Sequence, residues 1–194
     1  MDEEGRFDRA VELIYEAALA PEQLPIALQH LTQCLDGDTC HLVGWNGRMK
    51  GTSLLSISTG LDENIGPGYA AYYAALDPRR QLAIDTQMPG EILACHEHFD
   101  SRFVSHNEFY QDYLLPLGIQ YLLASTLRDD ADYLIQIAFQ RYVGHKYFCE
   151  PEISLLRRLI PHLQRSIQIM VRFQQQQDQL RWHTAGIETV PFGL

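Results

Sequence analysis

The amino-acid sequence predicts an α+β domain, in which helices flank an antiparallel sheet and one long helix ends the chain. Three observations lead to this fold class. Apolar residues recur at helical spacing in the first 35 residues, turn residues join pairs of strand-like segments, and an apolar seam of helical period runs through residues 150–170. Helices at both ends of a set of hairpin-linked strands are typical of a sheet that is covered by helices.

Two amphipathic helices are expected first, over residues 6–20 and 21–35, with Pro21 between them. Each has one apolar face, as a helix packed on a sheet requires. These faces comprise Phe7, Val11, Ile14 and Ala18 in the first helix and Leu24, Leu28, Leu31 and Leu35 in the second.

Five strands follow, as two hairpins and one single segment. The first hairpin is indicated by the turn pairs Asn46-Gly47 and Lys50-Gly51, and the second by Arg128-Asp129-Asp130. The strands are predicted at residues 39–46, 52–58, 91–97, 119–127 and 133–139.

Helical segments rich in aromatic residues lie between the strands. A loop at 60–68 leads into a tyrosine-rich helix that the Asp77-Pro78 pair ends, and a helical turn at 78–85 follows it. Further helical pieces are expected at 101–104 and 105–114. This order of elements describes an antiparallel sheet of the GAF or PAS type with flanking helices.

The last helix carries the clearest periodicity in the chain. Pro161 interrupts the pattern, so we expect a kink near residues 157–161 or a short helix that runs into a longer one. The run Gln174–Gln177 predicts that the helix continues out of the globule, since glutamine favours helix but buries poorly. The seam suits either a dimer contact or packing on the chain's own sheet. It consists of Leu156, Ile160, Leu163, Ile167 and Met170.

Composition and charge limit the possible classes of protein. With 194 residues, of which 46% are hydrophobic and 21% charged, the chain is long enough for one domain with a sizeable core. The acidic N-terminus does not resemble a signal peptide, and no apolar run is long enough to span a bilayer. The four cysteines form no CxxC pair. We therefore expect a cytoplasmic protein with reduced thiols. A net charge of −10 argues against nucleic-acid binding by this segment itself.

One cluster suggests a binding site. On a helix Tyr69, Tyr73 and Asp77 lie at i, i+4 and i+8, so two phenol rings and a carboxylate share a face, as in a ligand pocket. Phe109 and Tyr113 are placed to close that pocket from the other side. The alternative makes the four rings core aromatics and Asp77 a turn residue before proline.

Other polar clusters are weaker candidates. His96 and His98 point the same way if 91–97 is a strand, but no spaced third ligand follows, so we expect neither a metal nor a cofactor. Arg79-Arg80 is expected to be an exposed pair, with pairing to acidic neighbours or contact with a ligand carboxylate as the alternatives. The sequence contains no GxSxG, P-loop, GxGxxG or HExxH motif, which makes an enzyme the less favoured class.

Four stretches resemble a known family. GYAAYYAALDPRR, LIYEAALAPEQLPIAL, FYQDYLLPLGI and LIPHLQRSI, which together span residues 11–170, are similar to the N-terminal sensor domains of LuxR-type transcriptional regulators. The resemblance implies a GAF/PAS-like, autoinducer-domain-like sensor over residues 1–170. It also implies a homodimer, and a helical extension at 171–194 toward a DNA-binding domain that is absent from this chain.

The resemblance further implies a small-molecule ligand. Acyl-homoserine-lactone receptors of this superfamily hold the head group with a tyrosine and the aspartate of the DP pair, which correspond to Tyr69 or Tyr73 with Asp77. Their pockets also contain tryptophans, whereas this chain has only Trp45 and Trp182, so a different small molecule is expected. Two alternatives stay open: a dimerisation module without a ligand, and a small enzyme on the same scaffold.

Overall fold

The computed structural model describes residues 3–46, 53–60, 69–86 and 88–188. Two helices come first, and a 3-10 turn at Pro21–Gln23 joins them. Pro21 opens that turn, where a missing N–H costs no hydrogen bond. The helices are α1 (Glu3–Leu19), α2 (Leu24–Cys34), α3 (Pro78–Thr86), α4 (Ser101–His106) and α5 (Glu150–Glu188).

The strands form one five-stranded sheet in the order β2-β1-β5-β4-β3, and every pairing is antiparallel. The predicted α+β class is thereby confirmed, as are both strand pairings. The turn residues 47–51 and the loop 61–68 lie outside the described residues. The strands are β1 (Thr39–Asn46), β2 (Ser53–Thr59), β3 (Ile92–Ala94), β4 (Ile119–Asp129) and β5 (Tyr133–Tyr142).

Helices α1, α2 and α5 cover one face of the sheet and enclose the main core. The central strand β5 contributes Ile135, Ile137 and Phe139 to it, each at most 1% exposed. Helices α1 and α5 run parallel, because Arg158 bonds Glu4 near the start of α1 while the Ser166 hydroxyl donates to the Ile14 carbonyl further along (2.8 Å). The packed helices therefore bury this face of the sheet.

The opposite face is covered by shorter helical pieces. Residues 69–76 form a π-helical turn (Tyr69–Tyr73) that continues into an α-helical turn, and α3 follows. Residues 95–117 add α4 and a second π-helical segment, Phe109–Leu114. We call the described residues 69–86 and 95–117 the helical cover.

Helix α5 passes through Pro161 as one element, so the alternative of two successive helices is wrong. The predicted kink stays a prediction. Four of the five seam residues are buried against the chain's own sheet and α1, and Met170 packs at the edge of the same core. The seam therefore serves intrachain packing. From Arg172 to Gln177 the helix is exposed.

Arg141, at the end of β5, joins three elements. Its buried guanidinium donates to the carbonyl oxygens of Leu35 and Asp36 at the end of α2, and Nη2 contacts Glu152 Oε1 (3.1 Å) in the first turn of α5. The same group lies over the Phe148 ring, with 4.2 Å between Cζ and the ring centroid. One side chain thus fixes the start of α5 to the sheet and to α2.

The strand predicted at 91–97 is too long. It ends at Ala94, and Cys95–Glu97 forms a 3-10 turn. The N–H of Leu122 donates to the Cys95 thiol (3.1 Å) instead of to a strand carbonyl, which marks the point where the ladder stops. The prediction that His96 and His98 share a strand face is therefore wrong.

Candidate ligand-binding site

Asp77 stands between the tyrosine-rich turns and α3. Its backbone is extended (φ −70°, ψ 103°), as expected before proline. The carboxylate Oδ1 accepts the N–H groups of Arg79 (2.9 Å) and Arg80 (3.4 Å), which are orphan donors in the first turn of α3. Asp77 is therefore the N-cap of α3, which agrees with its interpretation as a turn residue.

Asp77 also forms a buried bidentate ion pair with Arg79. Arg79 Nε donates to Oδ1 and Nη2 to Oδ2, both at 2.9 Å, and the two residues are only 5% and 7% exposed. Tyr69 Oη donates to the same Oδ2 (3.1 Å). The expectation of an exposed arginine pair is thus wrong for Arg79, because the neighbouring carboxylate compensates the burial of its charge.

The protonation states follow from these contacts. Burial by itself would raise the pKa of Asp77, but the Arg79 charge and the hydrogen bonds from Arg79 and Tyr69 outweigh it, so the pKa lies below its ordinary value. Burial, and then the Asp77 charge, raise the pKa of Tyr69. At neutral pH the group therefore consists of a carboxylate, a guanidinium and a protonated phenol.

Aromatic rings surround this ion pair. Tyr73 stacks on Tyr113 with 4.4 Å between ring centroids, and Tyr69 lies 5.9 Å from Tyr113. Phe109 is fully buried, and the Arg79 guanidinium lies over its ring, with 4.8 Å between Cζ and the centroid. The rings of Phe109 and Tyr113 both come from the π-helical segment Phe109–Leu114.

The structure therefore brings all five predicted site residues into one cluster: Tyr69, Tyr73, Asp77, Phe109 and Tyr113. Whether they contact a ligand stays a prediction. Sequence reasoning missed two members, Arg79 and Tyr110. The signal for Arg79 was its position two residues after an aspartate at a helix start, which lets the side chain fold back onto that carboxylate. Tyr110 follows Phe109 in a helix and gave no such signal.

One buried donor in this cluster, Arg79 Nη1, lacks a hydrogen-bond partner within the described part of the chain, whereas the buried Tyr110 hydroxyl lies beside the Cys95 thiol. Burial, and then the neighbouring Cys95 thiol, raise the pKa of Tyr110, so its hydroxyl keeps its proton. Arg79 likewise keeps its charge, since Asp77 outweighs the effect of burial and raises its pKa.

The sheet face beneath the helical cover is less completely buried than the face that α1, α2 and α5 cover. On β5 the side chains that point toward the cover include Gln136 and Ala138, which are only half-buried although β5 is the central strand. Leu82 and Ala83 of α3 contact the apolar group to which Ala138 belongs. The Gln136 amide donates to the Thr126 hydroxyl (3.1 Å). Small and polar groups thus stay accessible at the centre of this face.

Catalytic and metal chemistry find little support in the described residues. His41 Nε2 lies 3.3 Å from Ser56 Oγ, but no described carboxylate contacts His41 to orient it. His96 stacks on Tyr147 with 4.3 Å between centroids. The described ranges hold no group of three or more potential metal ligands.

A separate groove of about 410 Å³ lies between α2 and the end of β2. Ile26, Gln29 and Gly60 are among its lining residues, and none of the five predicted site residues borders it. The groove is therefore distinct from the tyrosine cluster.

The fold is that of a GAF-like domain, with the tyrosine cluster on the side of the sheet opposite α1, α2 and α5. No family model matches the chain, and no curated protein matches it either. Among solved structures it resembles the ligand-binding domains of LuxR-type regulators, and GAF domains match as well. In the described part of the chain no helix is long and apolar enough to cross a membrane.

Three structures illustrate the similarity. The ligand-binding domain of VqsR from Pseudomonas aeruginosa has a TM-score of 0.65 at 15% identity, and the N-acylhomoserine-lactone-dependent LuxR-family factor CepR2 from Burkholderia cenocepacia has 0.60 at 14%; each match covers 87% of this chain and 98% of the other. SdiA in complex with octanoyl-rac-glycerol has a TM-score of 0.54 at 16% identity, covering 93% of this chain and 73% of SdiA. At such identities the likeness establishes the fold.

Proposed function

We propose that this chain is the ligand-sensing domain of a LuxR-type bacterial transcriptional regulator and binds a small molecule between the sheet and the helical cover. The observation that carries the proposal is the contrast between the two faces of β5. Ile137 and Phe139 are fully buried on one face, whereas Gln136 and Ala138 on the other are partly exposed beneath the cover. A concave space with apolar walls and a few polar groups is the usual form of a ligand site.

The comparisons support small-molecule binding in general terms. CepR2 is described as dependent on N-acylhomoserine lactone, and SdiA was solved with an acylglycerol. The tyrosine cluster gives flat apolar surfaces, and the Asp77–Arg79 pair gives the polar group that orients a ligand.

The terminal helices are proposed to transmit the signal. Strand β5 carries Gln136 and Ala138 on the ligand side and Arg141 at its end, and Arg141 contacts Glu152 at the start of α5. Residues 1–170 form the sensor in this proposal, and residues 171–194 connect it to a DNA-binding domain that is not in this chain. The regulator acts as a cytoplasmic homodimer, and this acidic segment does not itself bind DNA.

Native mass spectrometry tests the proposal, with Ala138→Phe as the blocking variant and Ala131→Phe, in the exposed β4–β5 turn, as its control. We expect the purified protein and the control to carry a small molecule that is released on denaturation, and Ala138→Phe to carry none while still folding. A protein without any bound molecule would favour the dimerisation module. Equal retention by all three proteins would place the ligand elsewhere.

A further inference from the structure

The Asp77 carboxylate has no acceptor position left for a ligand. Its two oxygens accept five hydrogen bonds, all from the chain itself: three from Arg79, one from Arg80 and one from Tyr69. A carboxylate offers about four lone-pair sites. The chain's own donors thus saturate Asp77.

Arg79 is in the opposite condition. Its guanidinium is planar, and the edge that carries Nε and Nη2 faces Asp77, so Nη1 points away from the carboxylate. Nη1 is buried and has no hydrogen-bond partner among the described residues. The Tyr110 hydroxyl, in the same aromatic group, has the Cys95 thiol beside it.

Such a donor needs an explanation. Roughly nine in ten buried polar groups in folded proteins have a partner, and a charged donor is among the most costly to leave without one. Arg79 lies in the helical cover, on the side of the sheet where Ala138 and Gln136 are partly exposed. A ligand in that space would supply the missing acceptor.

We propose that Arg79 is the residue that contacts the polar group of the ligand, that Asp77 is a positioning residue that holds the guanidinium in place, and that the ligand presents an uncharged acceptor such as a carbonyl oxygen. This inference rests on the proposed function. It reverses the role that the resemblance implies for Asp77, because a donor and not an acceptor meets the ligand.

The acceptor is uncharged because Arg79 is already neutralised. The ion pair carries no net charge. A ligand carboxylate at Arg79 would therefore add a second buried anion close to Asp77, and the two like charges would repel each other. A carbonyl oxygen accepts from Nη1 without that penalty. The apolar rings of Tyr73 and Tyr113 suit the hydrocarbon part of such a molecule.

Three probes that share an eight-carbon chain test the inference by calorimetry: 1-octanoylglycerol, 1-octylglycerol, which lacks the carbonyl, and octanoate. We expect the wild type to bind the ester about tenfold or more tightly than the ether, the usual effect of one charge-assisted hydrogen bond, and to bind octanoate most weakly. In Arg79→Lys the preference for ester over ether should disappear. Lysine keeps a positive charge next to Asp77, but it has no second nitrogen to donate to the ligand in place of Nη1. Arg102→Lys, exposed on α4, should behave as wild type.

Each outcome bears on the role of Arg79. Equal binding of ester and ether by the wild type, or an ester preference that persists in Arg79→Lys, would overturn the role of Arg79 and leave the proposed function intact. If none of the probes binds, the inference fails, and the native mass spectrometry separately decides the proposed function. If Arg79→Lys does not fold, the double variant Asp77→Asn with Arg79→Gln, which removes both charges together, replaces it and should also lose the preference.

Discussion

At the scale of single residues, Asp77 has two structural roles, of which sequence reasoning gave only the first, that of a turn residue, as the alternative to a ligand contact. It caps α3 through the N–H of Arg79 and neutralises the Arg79 side chain. Spacing predicted that Tyr69, Tyr73 and Asp77 would share a face, because a helical period fixes it. It did not predict the ion pair, since burial of Arg79 depends on the Phe109 ring, thirty positions further along the chain.

Asp77→Asn is expected to destabilise the fold by about 3–5 kcal/mol, because it leaves the buried Arg79 charge without a partner. Asparagine alone would serve the cap almost as well, so the loss measures the ion pair. For a chain of this size the melting temperature should fall by roughly 10 °C or more. Differential scanning calorimetry checks this.

Two further variants control that measurement. Asp112→Asn, on the exposed side of the cover, should melt as wild type does. Asp77→Asn combined with Arg79→Gln should recover most of the lost stability, because no buried charge is left. A shift of less than about 2 °C corresponds to less than about 1 kcal/mol for a chain of this size. If Asp77→Asn alone melts within that range of wild type, Arg79 has found another partner.

At the scale of secondary-structure elements, the sequence predicted which segments form helices and strands better than where they end. Strand β1 has the predicted bounds, since turn residues flank its apolar run. Strand β5 extends to Tyr142, beyond the predicted end at residue 139, because Gln140 and Arg141 are polar and broke the apolar pattern. Their side chains are buried by partners distant in sequence: Gln140 accepts from Thr39, and Arg141 bonds the end of α2.

The seam of α5 shows the same limit. Its period predicted a helix with one apolar face, but two heptads do not specify whether that face meets a partner or the chain's own sheet. The structure buries Leu156 and Ile160 in its own core. The surface available to a partner on α5 is therefore the polar one.

Arg141→Lys is expected to cost about 2–4 kcal/mol, since lysine cannot reproduce the several hydrogen bonds that the guanidinium makes. The effect should be local to the elements that Arg141 joins. Hydrogen exchange followed by mass spectrometry should show faster exchange in the first turns of α5 and in residues 143–149, with the tyrosine cluster unchanged. Arg157→Lys, exposed on α5, is the control. Uniformly faster exchange would contradict a specific link between β5 and α5.

At the scale of the whole molecule, the α1–α5 surface exposes charges of both signs. The exposed side of α1 carries Asp8, and Glu12 paired with Arg9, whereas that of α5 carries Arg165 and Arg172. A two-fold axis parallel to these two helices would place α1 of one copy opposite α5 of the other, and hence Asp8 near Arg165 or Arg172. This surface is the one that we expect a homodimer to use.

Sedimentation equilibrium at tens of micromolar, well above a typical affinity of ~1 μM, is expected to show a dimer that weakens with salt. Arg165→Glu combined with Arg172→Glu should shift the protein to monomer, because like charges then face each other across the axis. Asp112→Asn, away from these helices, should stay dimeric. A wild type that sediments as a monomer throughout the series would rule this arrangement out.

The central claim is that a small molecule binds between the sheet and the helical cover, and crystallographic electron density tests it most directly. The account predicts density beneath α3, next to Ala138, with an acceptor atom within hydrogen-bond distance of Arg79 Nη1. Density only in the groove between α2 and β2, or cover side chains packed directly onto Gln136 and Ala138 with no space between, would contradict it.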